Sequence, residues 1–236
     1  MMKKLLFTII ATFSTVAVMA QPKAGTFSLM PRVGFSLATL AGDEIKASVE
    51  GLSFKARNKM GLICGVDADY QLTRQLSLSL GAHYVQQGCR YKNEAISSDA
   101  GDNTINALGF SDFVTKLHYI NLPLLVNVYV AHGLALKTGV QIGFPLSGKL
   151  QYNELAYTED EFGNREYGQQ TDVDVDIKST LCKPTIAIPV GVSYEFSNVV
   201  IDARYNIGLR PYQKVGGFEG GKNRVFAFTA AYRFAL

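Results

Sequence analysis

Residues 117–147 alternate between apolar side chains and small or polar ones, and the alternation is interrupted once, at residues 131–133, Ala-His-Gly. Side chains of a strand point alternately to two faces, so this pattern predicts a β-hairpin with one apolar face. The opposite face is small or polar except for Leu125. The apolar face is formed by Ile120, Leu122, Leu124, Val126, Val128, Val130, Leu134, Leu136, Thr138, Val140, Ile142, Phe144 and Leu146.

The composition of the second face indicates where the hairpin lies. Gly, Ala, Ser, Asn and Pro dominate it, whereas strands that face water usually carry Lys, Glu and Thr. An eight-stranded barrel has an interior just wide enough for side chains to fill, so small residues fit inside it while the aliphatic face contacts lipid. The pattern therefore favours a transmembrane hairpin. A lipocalin-like soluble barrel is the alternative.

Six further segments show the same alternation, at 27–37, 60–70, 76–87, 184–196, 199–209 and 224–236. Each is compatible with the roughly 9 to 11 residues that a tilted strand needs to cross a bilayer. Together with the hairpin they predict an all-β fold, an eight-stranded antiparallel up-and-down transmembrane β-barrel. Short connections at 72–75, 131–133 and 197–198 alternate with long ones at 38–59, 89–116, 148–183 and 210–223. Such barrels have short periplasmic turns and long external loops, so both mature ends are expected in the periplasm.

The first twenty residues have the features of a secretory signal peptide. Lys3 and Lys4 precede an apolar run at 5–18, and Val18-Met19-Ala20 fits the small-x-small rule before Gln21. The domain prediction is a signal peptide at 1–20 and an outer-membrane β-barrel domain at 21–236, located in a bacterial outer membrane. Cleavage lowers the 23 basic residues by two, to 21 against 20 acidic residues. That near-neutral balance gives no support for a nucleic-acid partner.

Three prolines lie inside predicted strands, at Pro123, Pro145 and Pro189. Proline removes a ladder hydrogen-bond donor and is normally confined to edges or bulges. A closed barrel has no edges, so local bulges are expected at all three.

Charged residues also lie on the inward parity. An isolated buried charge is costly, so we expect these charges to neutralise one another and plug the lumen. A narrow proton or ion path, or a gate, is the alternative, because ionisable residues at membrane depth are often functional. The predicted lumen charge network is Arg32, Asp67, Asp69, Lys137, Glu195, Asp202, Arg204 and Arg233.

The other candidate chemistry is weaker. The third long connection is acidic at its tip, and Asp172, Asp174 and Asp176 would share one face of an extended chain; a solvated loop is expected and Ca²⁺ binding is the alternative. A disulfide between Cys89 and Cys182 is conceivable but not favoured. His83 lies on the inward parity and could meet Ser79 or an Asp in the lumen, but nothing recognisable marks a set of nucleophile, base and orienting residue. We therefore predict no enzyme activity and no catalytic, cofactor-binding or metal-binding residues.

Several strand motifs resemble the PorT-type outer-membrane β-barrel domain family of Bacteroidota, over essentially all of the mature chain. The resemblance implies fold and location and carries over no catalytic residue. A role in secretion, which PorT itself has, is not implied by any motif here. The motifs are Tyr119-Ile120-Asn121-Leu122-Pro123-Leu124-Leu125, Gly139-x-x-x-Gly143-x-Pro145, Gly191-Val192-Ser193-Tyr194-Glu195 and Asp202-x-Arg204-Tyr205-Asn206-x-Gly208-Leu209.

Three functional hypotheses remain open from the sequence. The leading one is a structural or surface-interaction barrel whose external loops contact envelope or host molecules. The second is an accessory or small channel protein for transport or secretion across the outer membrane, and the third is an outer-membrane enzyme. The expected partners are outer-membrane lipid, lipopolysaccharide and the barrel assembly machinery.

Overall fold

The computed structural model describes residues 23–42, 44–46, 53–99, 105–160, 162–215 and 218–236. The predicted signal peptide lies outside these residues. No helix in the described part of the chain is long and apolar enough to cross a membrane.

Eight long antiparallel strands of the described chain close into a ring. Each strand pairs with its neighbours in sequence, and the last pairs with the first. The predicted up-and-down topology is therefore confirmed. The strands are β1 (Phe27–Ala41), β2 (Lys59–Thr73), β3 (Leu76–Arg90), β4 (Ile105–Ala131), β5 (Leu134–Glu159), β6 (Thr185–Phe196), β7 (Val199–Pro211) and β8 (Lys222–Tyr232).

The strands are strongly staggered around the ring. Following paired residues from Phe27 through the seven other strands returns to β1 at Leu37, ten residues farther along. With about 3.3 Å per residue and about 4.8 Å between strands, this stagger corresponds to a tilt of about 41°. Such a tilt gives the interior the predicted width, which side chains occupy.

The two strand faces have the predicted composition. Outward Leu80 is 58% exposed and Val33 is 56% exposed, whereas inward Asp67 and Asp202 are each 1% exposed. Large apolar side chains thus cover the outside of the ring and polar ones are buried within it. This is the reverse of a soluble barrel, whose apolar face lies inside, so the lipocalin-like alternative is wrong.

At one end of the barrel the structure differs from the sequence prediction. The segments 105–116 and 148–159, expected in loops, continue β4 and β5 as paired strands, and they extend past the end of β3, where Arg90 pairs with Val114. Short strands Glu94–Asp99 and Arg165–Asp176 flank them. We call these four strands the protruding sheet. Both faces of residues 150–159 of β5 mix apolar and polar side chains, with Tyr152 beside Glu154 in one parity and Leu155 beside Asn153 in the other, so no period-two hydrophobic pattern marks this extension.

The three prolines differ from one another. At Pro145 the pairing of β5 with β4 shifts register between His118–Ser147 and Tyr119–Pro145, so the predicted bulge is confirmed there. At Pro123 and Pro189 the pairing with one neighbouring strand is interrupted, but the register is the same on both sides. A bulge at those two positions is therefore wrong. The missing donor is accommodated by a gap in the ladder rather than by an extra residue.

Candidate functional site

The lumen holds two groups of buried charges at different heights. In the middle of the barrel, Asp202 accepts from Lys137 Nζ (2.8 Å) and Arg204 Nη2 (3.2 Å), and its other oxygen lies 3.7 Å from Arg32 Nη1. Arg32 also pairs with Asp67. The second oxygen of Asp67 contacts His83 Nε2 at 2.7 Å. We call these six residues the central network.

Glycines on the inward faces make room for these long side chains. A Cβ on Gly81 would collide with the Asp67 carboxylate and would lie 2.8 Å from His83 Nε2. A Cβ on Gly65 would lie 2.8 Å from His83 Cδ2. The small residues that mark the inward parity in the sequence are therefore required by their large charged neighbours.

The second group lies near the short turns, and we call it the turn-end network. Arg233 donates from Nε to Glu195 Oε1 (2.8 Å) and from Nη1 to Asp69 Oδ1 (2.9 Å). The other Asp69 oxygen accepts from Ser77 Oγ (2.9 Å) and Ser79 Oγ (2.6 Å), and from Asn127 Nδ2. Every charge of this group is thus paired with an opposite charge or a polar hydrogen.

The eight predicted lumen residues are all buried, and each belongs to one of these two networks. The four cations Arg32, Lys137, Arg204 and Arg233 balance four carboxylates across the lumen as a whole. The balance is unequal within each network: with His83 neutral, the central one has three cations and two carboxylates, and the turn-end one has one cation and two. Sequence reasoning placed His83 inward but did not assign it to the network.

A third element, absent from the sequence analysis, closes the opposite end of the lumen. Ile177 and Leu181 flank a short 3-10 turn, Lys178–Thr180, within the predicted third loop. Both side chains are buried in an apolar cluster inside the end of the barrel that bears the protruding sheet. We call this cluster the apolar plug; it consists of Leu40, Cys89, Tyr91, Phe113, Leu117, Tyr119, Ile177, Leu181 and Tyr212.

Backbone hydrogen bonds hold the segment that carries Ile177 and Leu181 in the end of the barrel. Ile177 N donates to Gly148 O (2.9 Å) and Cys182 N donates to Tyr212 O (2.9 Å). A Cβ on Gly148 would lie 2.8 Å from Leu181 Cδ1 and 3.2 Å from Ile177 Cγ1, so glycine provides the space that the plug occupies. In the sequence Ile177 only continues the alternation of Val173 and Val175 with aspartates, so nothing there distinguishes the two plug residues.

Two small cavities of the lumen are lined by described residues, one at the central network and one on its plug side. One is lined by Arg32, His83 and Asp202, and the other by Gln87, Thr185 and Asn223 among others. Each has space for roughly one water molecule. Cavities of this size do not form a water-filled channel.

The protruding sheet carries the acidic residues expected at the tip of loop three. Asp160 organises its turn by accepting from the backbone N–H groups of Phe162 (2.9 Å) and Asn164 (2.8 Å). The hydrogen bond from the Asn164 side chain makes the largest contribution to holding the pKa of Asp160 below its usual value. The backbone hydrogen bonds lower this pKa as well. The expected solvated loop is therefore a hairpin with an ordered turn.

The three aspartates considered for Ca²⁺ lie in the strand Arg165–Asp176 and have separate partners. Asp174 accepts from Lys149 Nζ (3.0 Å) and Gln151 Nε2 (2.8 Å), contacts that lower its pKa. Asp172 accepts from Gln170, and Asp176 accepts from the Lys178 backbone. Nowhere in the described chain do three His, Cys, Asp or Glu side chains converge as a metal site.

The cysteines form no disulfide. Cys89 lies in the apolar plug. Cys182 follows the 3-10 turn and is half-buried. Of the other histidines, His118 faces outward and contacts Tyr84 OH through Nδ1 at 2.5 Å.

Comparisons with solved structures return other outer-membrane barrels. The Yersinia pestis attachment invasion locus protein Ail, in complex with the heparin analogue sucrose octasulfate, is 13% identical; the match covers 89% of this chain and 99% of that one, with a TM-score of 0.40. OprG from Pseudomonas aeruginosa is 13% identical, with 92% and 99% covered and a TM-score of 0.40. Neisserial surface protein A is 14% identical, with 88% and 95% covered and a TM-score of 0.39. At these values the similarity says nothing about what this chain binds.

No curated protein matches the chain. The family model described as "Outer membrane protein beta-barrel domain" matches residues 19–213, which is most of its length. This range includes seven of the eight ring strands, β1 to β7. The chain belongs to this outer-membrane β-barrel family.

Proposed function

We propose that this protein is a structural and surface-interaction barrel: its lumen is closed and its protruding sheet contacts partners outside the cell. The observation that carries the proposal is the length of β4, which has 27 residues. About 9 to 11 tilted residues cross a bilayer, so more than half of this strand serves a structure outside the membrane.

The filled lumen disfavours the channel alternative. Two charge networks and an apolar plug occupy successive levels of the interior, and ion conduction would require all three to rearrange. An accessory role in transport or secretion remains the second candidate function, since such a role can use the outer surface of a closed barrel. We propose no enzymatic activity, because the lumen histidine contacts Asp67 and no nucleophile.

Two features of the protruding sheet suit a binding partner: the edge of its outer strand and its excess of negative charge. Strand Arg165–Asp176 pairs with β5 on one side and with no other described strand on its second side. Eleven of its twelve residues are exposed. Carboxylates outnumber cations along residues 149–176, where Lys149 and Arg165 face eight acidic residues. Charge complementarity therefore favours a partner with a basic surface.

Several finer assignments belong to the same proposal. Residues 1–20 act as a signal peptide, the mature N-terminus and the C-terminus lie in the periplasm, and the protruding sheet lies outside the cell. Insertion uses the barrel assembly machinery. Motifs of the PorT type support an origin in Bacteroidota and a place within that branch of the family. Lipopolysaccharide is the expected lipid neighbour of the external rim.

Cysteine labelling on intact cells tests this orientation. A membrane-impermeant maleimide is expected to label Glu166→Cys, in the protruding sheet, without permeabilisation. The matched variant Arg74→Cys, in a short turn, is expected to react only after the outer membrane is opened, and the unsubstituted protein reports the background from its three cysteines. Labelling of Arg74→Cys alone on intact cells would reverse the orientation and remove the proposed surface role.

The interaction itself is tested with purified protein in nanodiscs passed over immobilised poly-lysine and poly-glutamate. We expect retention on poly-lysine that is lost when Glu154, Glu159 and Glu166 are changed to Gln. Retention unchanged by these substitutions would contradict a binding role for the acidic sheet.

A further inference from the structure

The two lumen cavities adjoin each other. The inner cavity lies at the central network and has His83 and Arg204 in its lining. The outer cavity lies on the plug side and has Arg210 in its lining. Three side-chain amides line both cavities and form the boundary between them. These amides belong to Asn121, Gln141 and Asn206.

Both cavities suit water. Each offers about 20 Å³ to the centre of a water molecule, more than the roughly 10 to 15 Å³ that one molecule needs. Three buried atoms of the lining residues have no hydrogen-bond partner among the described protein atoms: Asp202 Oδ1, Arg204 Nε and Asn206 Oδ1. Buried polar atoms are nearly always bonded. Water can donate to the two oxygens and accept from the N–H group, so it would satisfy all three atoms.

The outer cavity reaches the surface at Arg210, which lines this cavity and is also exposed. The pairing of β6 with β7 ends at Ala187 and Gly208, and beyond this pair Arg210 Nη1 donates to Pro184 O at 3.2 Å. Exposed side chains change rotamer within picoseconds to nanoseconds, so this single hydrogen bond opens readily. The outer cavity can therefore exchange water at the end of the barrel that bears the protruding sheet.

The turn-end network blocks the lumen on the other side of the central network. Arg233 donates to Glu195 and Asp69, and its Nη2 lies 3.2 Å from Tyr129 OH. These contacts join β2, β4 and β6 across the lumen. The two contacts with carboxylates are charge-assisted hydrogen bonds, which are roughly twice as strong as neutral ones. Water therefore passes more easily through the amide boundary than through this network.

His83 is a titratable group that this water can reach. The carboxylate of Asp67 only accepts hydrogen bonds, so His83 Nε2, which lies 2.7 Å from Asp67 Oδ1, carries a proton. A further proton must then add at Nδ1. The charged residues around His83 come from four strands: Arg32 on β1, Asp67 on β2, Asp202 and Arg204 on β7, and Lys137 on β5, which is joined to the others through Asp202.

Protonation of His83 would worsen the charge balance of the central network. Its three cations and two carboxylates would become four cations and two carboxylates, and an uncompensated buried charge is costly. We propose that His83 is a proton-responsive site, that water from the protruding-sheet end supplies its protons, and that its protonation destabilises the barrel. If that end lies outside the cell, as proposed above, the site responds to external acidity.

Deuterium exchange at the histidine Cε1 hydrogen, measured by mass spectrometry of peptides from the full mature protein in nanodiscs, tests the route. His132, exposed in a short turn, gives the reference rate. We expect measurable exchange at His83, and we expect Arg210→Trp to slow it by filling the entrance. The matched control Arg74→Trp replaces an exposed arginine of a short turn at the other end and should leave the rate unchanged.

Three results of this experiment would overturn the proposal. The first is no exchange at His83 while His132 exchanges, because water would then not reach the site. The second is slowing by Arg74→Trp instead of Arg210→Trp, which would place the entrance at the turn end. The third is the same rate at His83 in all three proteins. None of these readings depends on which end of the barrel lies outside the cell.

The response to protons is measured by refolding equilibria in urea at different pH values. The unfolded chain takes up the proton freely and the folded network resists it, so stability is present above the ordinary histidine pKa of about 6.5 and falls below it. Each pH unit below this value should raise the unfolding equilibrium constant by up to about tenfold relative to His83→Gln. Glutamine keeps an N–H donor for Asp67 but takes up no proton.

His118→Gln, at a histidine that faces outward, is the control and should follow the unsubstituted protein. Carboxylates titrate in all three proteins, so the comparison isolates His83. A ratio between the unsubstituted protein and His83→Gln that is constant with pH would overturn the proposal, as would an equal change in His118→Gln. The exchange experiment uses His83 itself, so it remains decisive even where His83→Gln does not refold.

Discussion

Asp202 is the position at which the central network is most sensitive to substitution. Its carboxylate contacts three cations, Lys137, Arg204 and Arg32, in a region with only one other carboxylate. Asp202→Asn keeps the shape of the side chain but leaves three buried cations facing Asp67 alone. Lys137→Met has the opposite effect on charge, because it leaves two cations facing two carboxylates.

These charge counts predict different free energies of unfolding. Removing one partner of a buried ion pair typically costs about 3 to 5 kcal/mol, because the remaining charge is uncompensated. We expect that loss for Asp202→Asn. Lys137→Met removes a buried cation together with its desolvation cost and leaves a balanced group, so we expect a loss of about 1 kcal/mol or less. The double variant should recover part of the Asp202→Asn loss.

Refolding equilibria in urea with lipid vesicles measure these differences. Folded and unfolded fractions are separable by the mobility of unheated samples on gels, and circular dichroism is suitable because the chain contains no Trp. Glu159→Gln is the control, since its ion pair with Arg165 lies at the surface of the protruding sheet and should contribute little to stability. A loss for Asp202→Asn no larger than that of Glu159→Gln, or a larger loss for Lys137→Met than for Asp202→Asn, would refute the charge-compensation argument.

Three other predictions concern the lipid face, the closed lumen and processing. Val126→Arg should lower the free energy of unfolding by about 2 to 4 kcal/mol if the position lies near the bilayer midplane. The control Val175→Arg, at a similarly exposed valine of the protruding sheet, should change the free energy of unfolding by less than about 0.5 kcal/mol. Equal losses in the two variants would mean that Val126 does not face lipid. In planar bilayers the protein should show no stable large conductance, and Ile177→Ser/Leu181→Ser should also remain closed because both charge networks persist; a reproducible ion-selective pore in the unsubstituted protein would favour the channel alternative. Mass spectrometry of protein purified from outer-membrane fractions should give Gln21 as the first residue, whereas recovery of the mature protein from the soluble periplasm would contradict the membrane assignment.

The sequence alone was sufficient for the barrel, because an alternation of period two is a local property that each strand carries independently. Val126 and Asn127 differ in exposure as their parity predicts, at 37% and 2%. The positions of the short turns follow equally well from breaks in the alternation. The extensions of β4 and β5 into the protruding sheet were missed, since residues 150–159, for example, mix apolar and polar side chains on both faces and have no hydrophobic period to reveal them.

The contacts inside the lumen were decided by tertiary structure. Parity identified which charges point inward, but not that Asp202 would meet Lys137, 65 residues away, while Asp69 meets Arg233, 164 residues away. Those pairings depend on the ten-residue stagger of the ring, which is set by all eight strand registers together. The apolar plug is still less visible in the sequence, because Ile177 and Leu181 acquire their role only when a long connection folds back into the barrel end beside Gly148. Local alternation therefore determined which face each residue occupies, and closure of the ring determined which residues meet.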